Sequence, residues 1–164
     1  TKHRRDELDI FLCAKCYFYL GDTAGLSAIP ALFRRPVVMT NLIPLEYAHN
    51  GGPPYHLFVP KRLWFKSEKR SLTFREILGS DIGRHLATDQ YVNKGIEPVA
   101  NSSEEILQAA NEMDARLKGT WIPSDEDEEL QRRFWRLWKP SSLNQVFNGR
   151  IAAWFLRENR RLLE

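Results

Sequence analysis

Tyr17-Phe-Tyr-Leu-Gly-Asp-Thr-Ala-Gly-Leu-Ser-Ala-Ile-Pro-Ala-Leu-Phe33, followed by Arg34-Arg-Pro36 and Val37-Val-Met-Thr-Asn41, reads as strand, tight polar turn, helix, proline stop, strand. Residues 17–20 are aromatic and apolar without alternation, the pattern of a parallel strand buried on both faces. Gly21, Asp22 and Thr23 carry turn chemistry, since Gly tolerates positive φ and Asp or Thr accepts a backbone N–H nearby. Residues 24–33 then form one apolar helix through Leu26, Ile29, Ala31, Leu32 and Phe33. Pro36 stops it and opens the next strand. Such a βαβ unit aims the free N–H groups at the start of its helix toward the carboxyl edge of the sheet, where α/β folds bind phosphates.

The surrounding chain fits this frame. It has 164 residues, enough for one domain with a core. Twenty-four basic residues face 21 acidic ones, for a net charge of +3. That balance lacks the concentrated basic face of a dedicated nucleic-acid binder, so no nucleic-acid partner is expected. No apolar run approaches a membrane span and no signal peptide stands at the front. The first residue is Thr1, which suggests a start upstream. Cys13 and Cys16 lack the second ligand pair that structural zinc requires, so both are read as core residues and no metal is expected. Low cysteine use suits a reducing, cytoplasmic setting.

Further elements follow in order. Residues 6–15 predict a helix with Leu8, Phe11 and Leu12 on one face. Residues 41–54 form a long Pro- and Gly-rich loop in which Asn41, Glu46, Tyr47, His49 and Asn50 suit a binding rim. His56-Leu-Phe-Val59 is a short strand, and residues 61–70 read as basic and exposed. Thr73 and Glu76 make a capping box for a short helix ended by Gly79. Residues 80–94 look irregular. Residues 95–100 form a strand that Pro98 confines to an edge. Ser102 and Glu105 cap a helix with Ile106, Ala110, Met113 and Leu117 on one face, ended by Gly119. Ser124 opens another, with Leu130, Phe134, Leu137 and Trp138 as its stripe and Pro140 as its stop. Residues 149–163 read as a last helix. No internal repeat or low-complexity tract is present.

Only three or four strands emerge from this reading, whereas a doubly wound sheet has five or six. The expected fold is therefore α/β, a partial Rossmann-like parallel sheet with flanking helices and a helical C-terminal tail. Residues 1–120 would form an incomplete nucleotide-sugar-binding domain and residues 121–164 a helical extension.

The words Leu20-Gly-Asp-Thr-Ala-Gly-Leu26, Ala28, Pro36 and Asn41-Leu-Ile-Pro44 resemble the C-terminal domain of GT-B glycosyltransferases. Asp22-Thr23 followed by Gly25 is similar to the Asp-Thr-Gly turn of bacterial heptosyltransferases, with Ala24 as one extra residue. The longer series is similar to a family of bacterial glycosyltransferases. It includes Asp9-Ile-Phe-Leu12, Leu72-Thr-Phe-Arg-Glu-Ile77, Glu104-Glu-Ile106, Glu112-Met113 and Phe155-Leu156. The resemblance spans nearly the whole chain. The paired-glutamate motif of many retaining GT-B enzymes is not evident, which leaves inversion and retention both open.

This resemblance implies transfer of a sugar from a nucleotide-sugar donor to a glycan or other acceptor, in cell-surface polysaccharide synthesis, without a cofactor or metal. The N–H groups of residues 23–26 and the Thr23 hydroxyl would face the diphosphate. Gly21, Asp22, Thr23, Ala24 and Gly25 are thus the candidate donor turn, with Asp22 bracing it or reaching a sugar hydroxyl. Asn41 and Glu46 are candidates for the ribose or sugar, and Arg4, with His3 and Arg5, for the phosphates. The catalytic base of GT-B enzymes usually lies in an N-terminal domain, expected here as a missing partner, so no base is assigned. The full-length protein is also expected to admit a peripheral membrane placement. The competing reading is a non-catalytic interaction module built on Trp121, Phe134, Trp135, Trp138, Phe147, Trp154 and Phe155, an aromatic excess of the kind that marks interfaces.

Overall fold

The structure is a computed structural model that describes residues 5–48, 56–139 and 149–164. Seven strands fall into two sheets. The larger has four parallel strands, β1 (Tyr19–Asp22), β2 (Val37–Leu42), β3 (His56–Pro60) and β7 (Arg150–Ile151), in the order β1-β2-β3-β7. The smaller is antiparallel, with β4 (Arg62–Phe65) between β5 (Arg70–Ser71) and β6 (Ile96–Val99). Helices α1 (Asp6–Lys15), α2 (Ala28–Leu32), α3 (Phe74–Leu78), α4 (Thr88–Val92), α5 (Ser103–Leu117), α6 (Asp125–Leu137) and α7 (Ala153–Glu158) flank them. The molecule is α/β with a parallel sheet, as the βαβ reading expects.

Burial explains the strand order. Val38, Met39, Leu57, Phe58 and Val59 of the two inner strands are nearly inaccessible and form the centre of the core. Such strands read as continuous apolar runs because both faces are covered. Ala109 and Met113 of α5 pack into the same core, as do Phe134 of α6 and Phe155 of α7. Phe74 meets Phe134 edge-on at 5.0 Å between ring centres, which joins α3 to α6.

Local signals set the helix ends. Thr73 and Glu76, Ser102 and Glu105, and Ser124 and Asp127 each form a reciprocal capping box. Asp6, Glu7 and Asp9 in the first turn of α1 and Lys15 in its last complement the helix dipole. Gly119 supplies the positive φ of 71° that follows α5.

Several expectations need correction. The strand read at residues 17–20 runs from Tyr19 to Asp22, and it alternates between half-buried and exposed side chains. Among the described residues it is an edge strand paired with β2 alone, so the absence of polar alternation did not mean burial on both faces. The helix expected over residues 24–33 is a three-residue 3-10 turn, Gly25–Ser27, followed by the five-residue α2. Its Pro30 is tolerated because the first turn of a helix leaves N–H groups unpaired anyway.

The basic stretch after β3 contains the β4–β5 hairpin, whose Leu63 is buried between half-buried Arg62 and exposed Trp64. The irregular stretch holds a 3-10 turn, Asp81–Arg84, and α4. The expected final helix begins instead as β7 and continues as α7 and a 3-10 turn, Arg160–Leu163. Two residues of β7 complete the parallel sheet only because β3 lies beside them. On α5, Glu105, Ala109, Glu112 and Met113 are buried, while Ile106, Ala110 and Leu117 are half-buried. The stripe is rotated by one residue because two acids turn inward to partners. Pro140 lies outside the described residues.

The C-terminal aromatics are largely packed. Phe134 and Phe155 are inaccessible, and Trp135 and Trp138 lie against the core. The Trp135 indole N–H donates to the Gly149 carbonyl at 3.0 Å. Phe147 lies outside the described residues. Exposed apolar surface gathers at the other end of the chain. Nine of the 14 exposed large apolar residues described lie between residues 8 and 33, including Phe11, Tyr17, Leu32 and Phe33.

Candidate functional site

The carboxyl ends of β1, β2 and β3 lie along one sheet edge, with Asp22 opposite Thr40 and Leu42 opposite Pro60. Asp22 ends β1 and its carboxylate is tied to β2. The Thr40 hydroxyl donates to Asp22 Oδ1 at 2.8 Å and the Asn41 side-chain amide donates to the same oxygen at 3.0 Å. Asp22 therefore braces the turn, as one branch of the sequence reading expects. The Ala24 N–H donates to the Asp22 carbonyl at 2.8 Å, so one of the four N–H groups expected to face a phosphate is already used. The shortness of the helix that follows also limits its dipole.

Thr23 is exposed, and its hydroxyl reaches across to the Ile43 carbonyl at 3.4 Å. The turn at residues 21–25 thus touches the segment after β2. Gly25 has an extended residue before it and open space where a Cβ would stand. At Gly21 a Cβ would come within 2.7 Å of the Tyr19 hydroxyl oxygen on the same face of β1.

Asn41 and Glu46 have structural partners. Asn41 sits at a φ of 49°, a left-handed conformation that Asn adopts more readily than most residues. Its Oδ1 accepts the Asn101 N–H at 2.7 Å. Glu46 is buried in the 3-10 turn Leu45–Tyr47 and accepts from Arg84 Nε at 2.9 Å. Gly83 packs against it, where a Cβ would be 3.0 Å from Glu46 Oε1. The structure brings Gly21, Asp22, Thr23, Gly25 and Asn41 together, with Ala24 in the turn between them, and places Glu46 one turn beyond. Arg4 and His3 lie outside the described residues, as do His49 and Asn50 of the expected rim. Cys13 is buried and Cys16 half-buried, both free.

Two concave surfaces border the second sheet. The larger, about 940 Å³, lies between the β4–β5 hairpin and the final 3-10 turn. The smaller, about 190 Å³, lies where the chain leaves β2 and β3, and Lys61 and His85 line it. Sequence reading missed both residues, because the cleft draws on four separated segments. A capping signal in Ala87-Thr-Asp-Gln90 was the one local clue to its helical wall. The Gln90 side chain accepts from the Leu86 and Ala87 N–H groups, both at 2.9 Å.

Among the described residues there is no cluster of three or more potential metal ligands, and no helix long and apolar enough to cross a membrane. Most arginines of α6 and the C-terminal segment face acids of α6, while Arg133 donates to the Leu163 carbonyl. Arg150 meets Glu128 at 2.6 Å, Arg160 meets Glu126 at 2.7 Å, and Arg157 pairs with Asp127. No protein-family model, curated protein or solved structure matches the chain.

Proposed function

We propose that this chain is the donor-binding part of a GT-B-type glycosyltransferase, with the turn at residues 21–25 against the nucleotide-sugar. The observation that carries the reading is the placement of this turn. It stands at the carboxyl edge of a parallel sheet, Asp22 fixes it to β2, and open space lies over Gly25 beside the Ile43 carbonyl. That edge is where open α/β sheets take ligands. Breaking the anomeric bond leaves charge on a diphosphate, and backbone N–H groups with the Thr23 hydroxyl would stabilise it. Asn41, whose side chain holds Asp22 and Asn101, positions the turn.

The exposed apolar residues between positions 8 and 33 support the view that a further polypeptide unit completes the enzyme. A parallel strand, β1, that pairs with β2 alone among the described residues, together with exposed Leu20, Leu26 and Phe33, suits a further strand and helix. An acceptor glycan and a catalytic base would belong with that unit, and polysaccharide synthesis in the cytoplasm is the setting proposed.

Calorimetry with UDP, GDP, CDP, ADP and their sugar conjugates tests the reading. Saturable binding of one nucleotide that Gly25→Trp abolishes, with the fold retained by circular dichroism, is expected. Binding that survives Gly25→Trp at full affinity would refute the assignment to this turn.

A further inference from the structure

The cleft beyond the carboxyl ends of β2 and β3 holds a buried nitrogen that the fold leaves without a hydrogen bond. His85 is buried, and its Nε2 has no hydrogen-bond partner among the described residues. The nearest acid atom, Asp81 Oδ2, is 4.0 Å away, beyond hydrogen-bond reach, and Lys94 Nζ holds the other oxygen of Asp81 at 3.0 Å. Tyr91 fixes the ring. It packs edge-on at 5.2 Å between ring centres, and its hydroxyl donates to the His85 carbonyl at 2.8 Å. A rigid, buried polar atom without a partner costs stability and calls for an explanation.

The cleft around His85 is chemically one-sided. Lys61, the first residue after β3, lines it and makes no ion pair among the described residues. Thr88 contributes a hydroxyl at the start of α4. Ile43, Pro44 and Pro98 supply apolar walls, and no carboxylate lines the cleft. An ammonium, a ring nitrogen and a hydroxyl, partly walled from water, suit an anion with several oxygens, and the one acid near the ring, Asp81, lies outside the lining with its other oxygen held by Lys94. The larger cleft lacks this bias. Arg70, Arg157 and Arg160 there are paired with acids, and Glu158 and Glu164 share its lining.

We infer that this cleft binds a phosphate-bearing small molecule, with Lys61 and His85 on the phosphate oxygens. None of residues 21–25 lines the cleft, although Ile43, which Thr23 meets, forms part of its wall, and the inference stands whether or not the chain transfers sugar. The phosphate could come as a free ion or as part of a nucleotide.

Calorimetric titration of the full chain with inorganic phosphate, pyrophosphate, UDP and GDP tests it, using wild type, Lys61→Met, His85→Phe and Gly25→Trp. Methionine keeps the apolar stem of Lys61, and phenylalanine keeps the ring packing on Tyr91. Saturable pyrophosphate binding is expected, weakened at least about tenfold in Lys61→Met and in His85→Phe and unchanged in Gly25→Trp. A shift of the His85 ring nitrogen resonance on adding pyrophosphate gives a readout that does not depend on the variants folding. Nucleotides binding more tightly than pyrophosphate would identify a nucleotide as the source, and equal affinity would identify free phosphate; either upholds the site. No saturable binding of any probe at low salt overturns it, as does binding that Lys61→Met leaves intact. Loss in Gly25→Trp alone would overturn this site and uphold the donor turn.

Discussion

Asn41 and Asn101, sixty positions apart, hold each other by reciprocal bonds from backbone N–H to side-chain oxygen. The Asn41 N–H donates to Asn101 Oδ1 and the Asn101 N–H donates to Asn41 Oδ1. The Asn101 amide also donates to the Pro60 carbonyl at 3.0 Å, and the Asn41 amide donates to Asp22. One clasp therefore links the ends of β1, β2 and β3 to the residue before the α5 cap. Asn101→Ala would take the partner from the Asn41 N–H, on a half-buried residue, and from the Pro60 carbonyl, on a buried one. A loss of about 2–4 kcal/mol in urea unfolding is expected. A loss within experimental error would show that water replaces the clasp.

Glu112 is buried on α5 and joins two elements. Its carboxylate accepts from Arg116 Nε and Nη2 at 2.9 and 2.7 Å and from the Ala153 N–H, at the start of α7, at 2.7 Å. Glu112→Ala leaves Arg116 and that N–H without their acceptor, and should cost about 3–5 kcal/mol. Burial pushes the Glu112 carboxyl up from its ordinary value, against the pull of Arg116. Its contribution is thus complete below the ordinary value and is lost as pH rises through the raised one. Glu112→Gln should cost less than alanine and flatten that decline, read as thermal midpoint against pH.

Glu76 has the opposite sign. The Arg70 guanidinium, bonded at 2.7 and 2.8 Å, and then the Thr73 cap together hold its carboxyl down to about 2. A depressed carboxyl stabilises the fold above its ordinary value of 4.5, and that stability drains away as pH falls toward about 2. Glu76→Gln should remove that part of the acid-side slope. Both side chains are about two-fifths exposed, so the effect should be modest and shrink with added salt. Identical slopes for wild type and variant would refute the assignment.

The exposed apolar residues of α1 and α2 should form a contact surface rather than support the core. Phe11 is 57% exposed and Leu32 81% exposed. The double variant Phe11→Ser, Leu32→Ser should move the thermal midpoint by no more than about 2 °C. It should reduce self-association in light scattering and binding of a hydrophobic dye. A large drop in midpoint would place these side chains in the core after all.

Gly25 and Gly21 should respond differently to a methyl group. Open space over Gly25 predicts that Gly25→Ala changes unfolding stability by no more than about 0.5 kcal/mol. Gly21→Ala must push the Tyr19 ring aside, so its cost should exceed that of Gly25→Ala in the same assay. Equal costs would mean that Tyr19 moves freely.

What the sequence by itself determined is local. The helix starts at Ser102, Thr73 and Ser124 are readable because each cap and its partner are three residues apart, and that spacing alone closes the hydrogen-bonded box. The inner strands β2 and β3 are readable because their burial shows as apolar runs. The turn at residues 21–25 and its place at the sheet edge follow from the same strand–turn–helix pattern. Tertiary structure decided whatever depends on residues far apart in the chain. Whether residues 17–20 form a covered strand or an edge depends on what pairs beside them. β7 is two residues long and exists through β3. Asn41 and Glu46 look like free polar groups until Asn101 and Arg84 arrive from 60 and 38 positions away. The Lys61–His85 cleft forms only when segments after β2, β3 and β5 meet β6, because long-range packing, not local spacing, decides which polar atoms find partners.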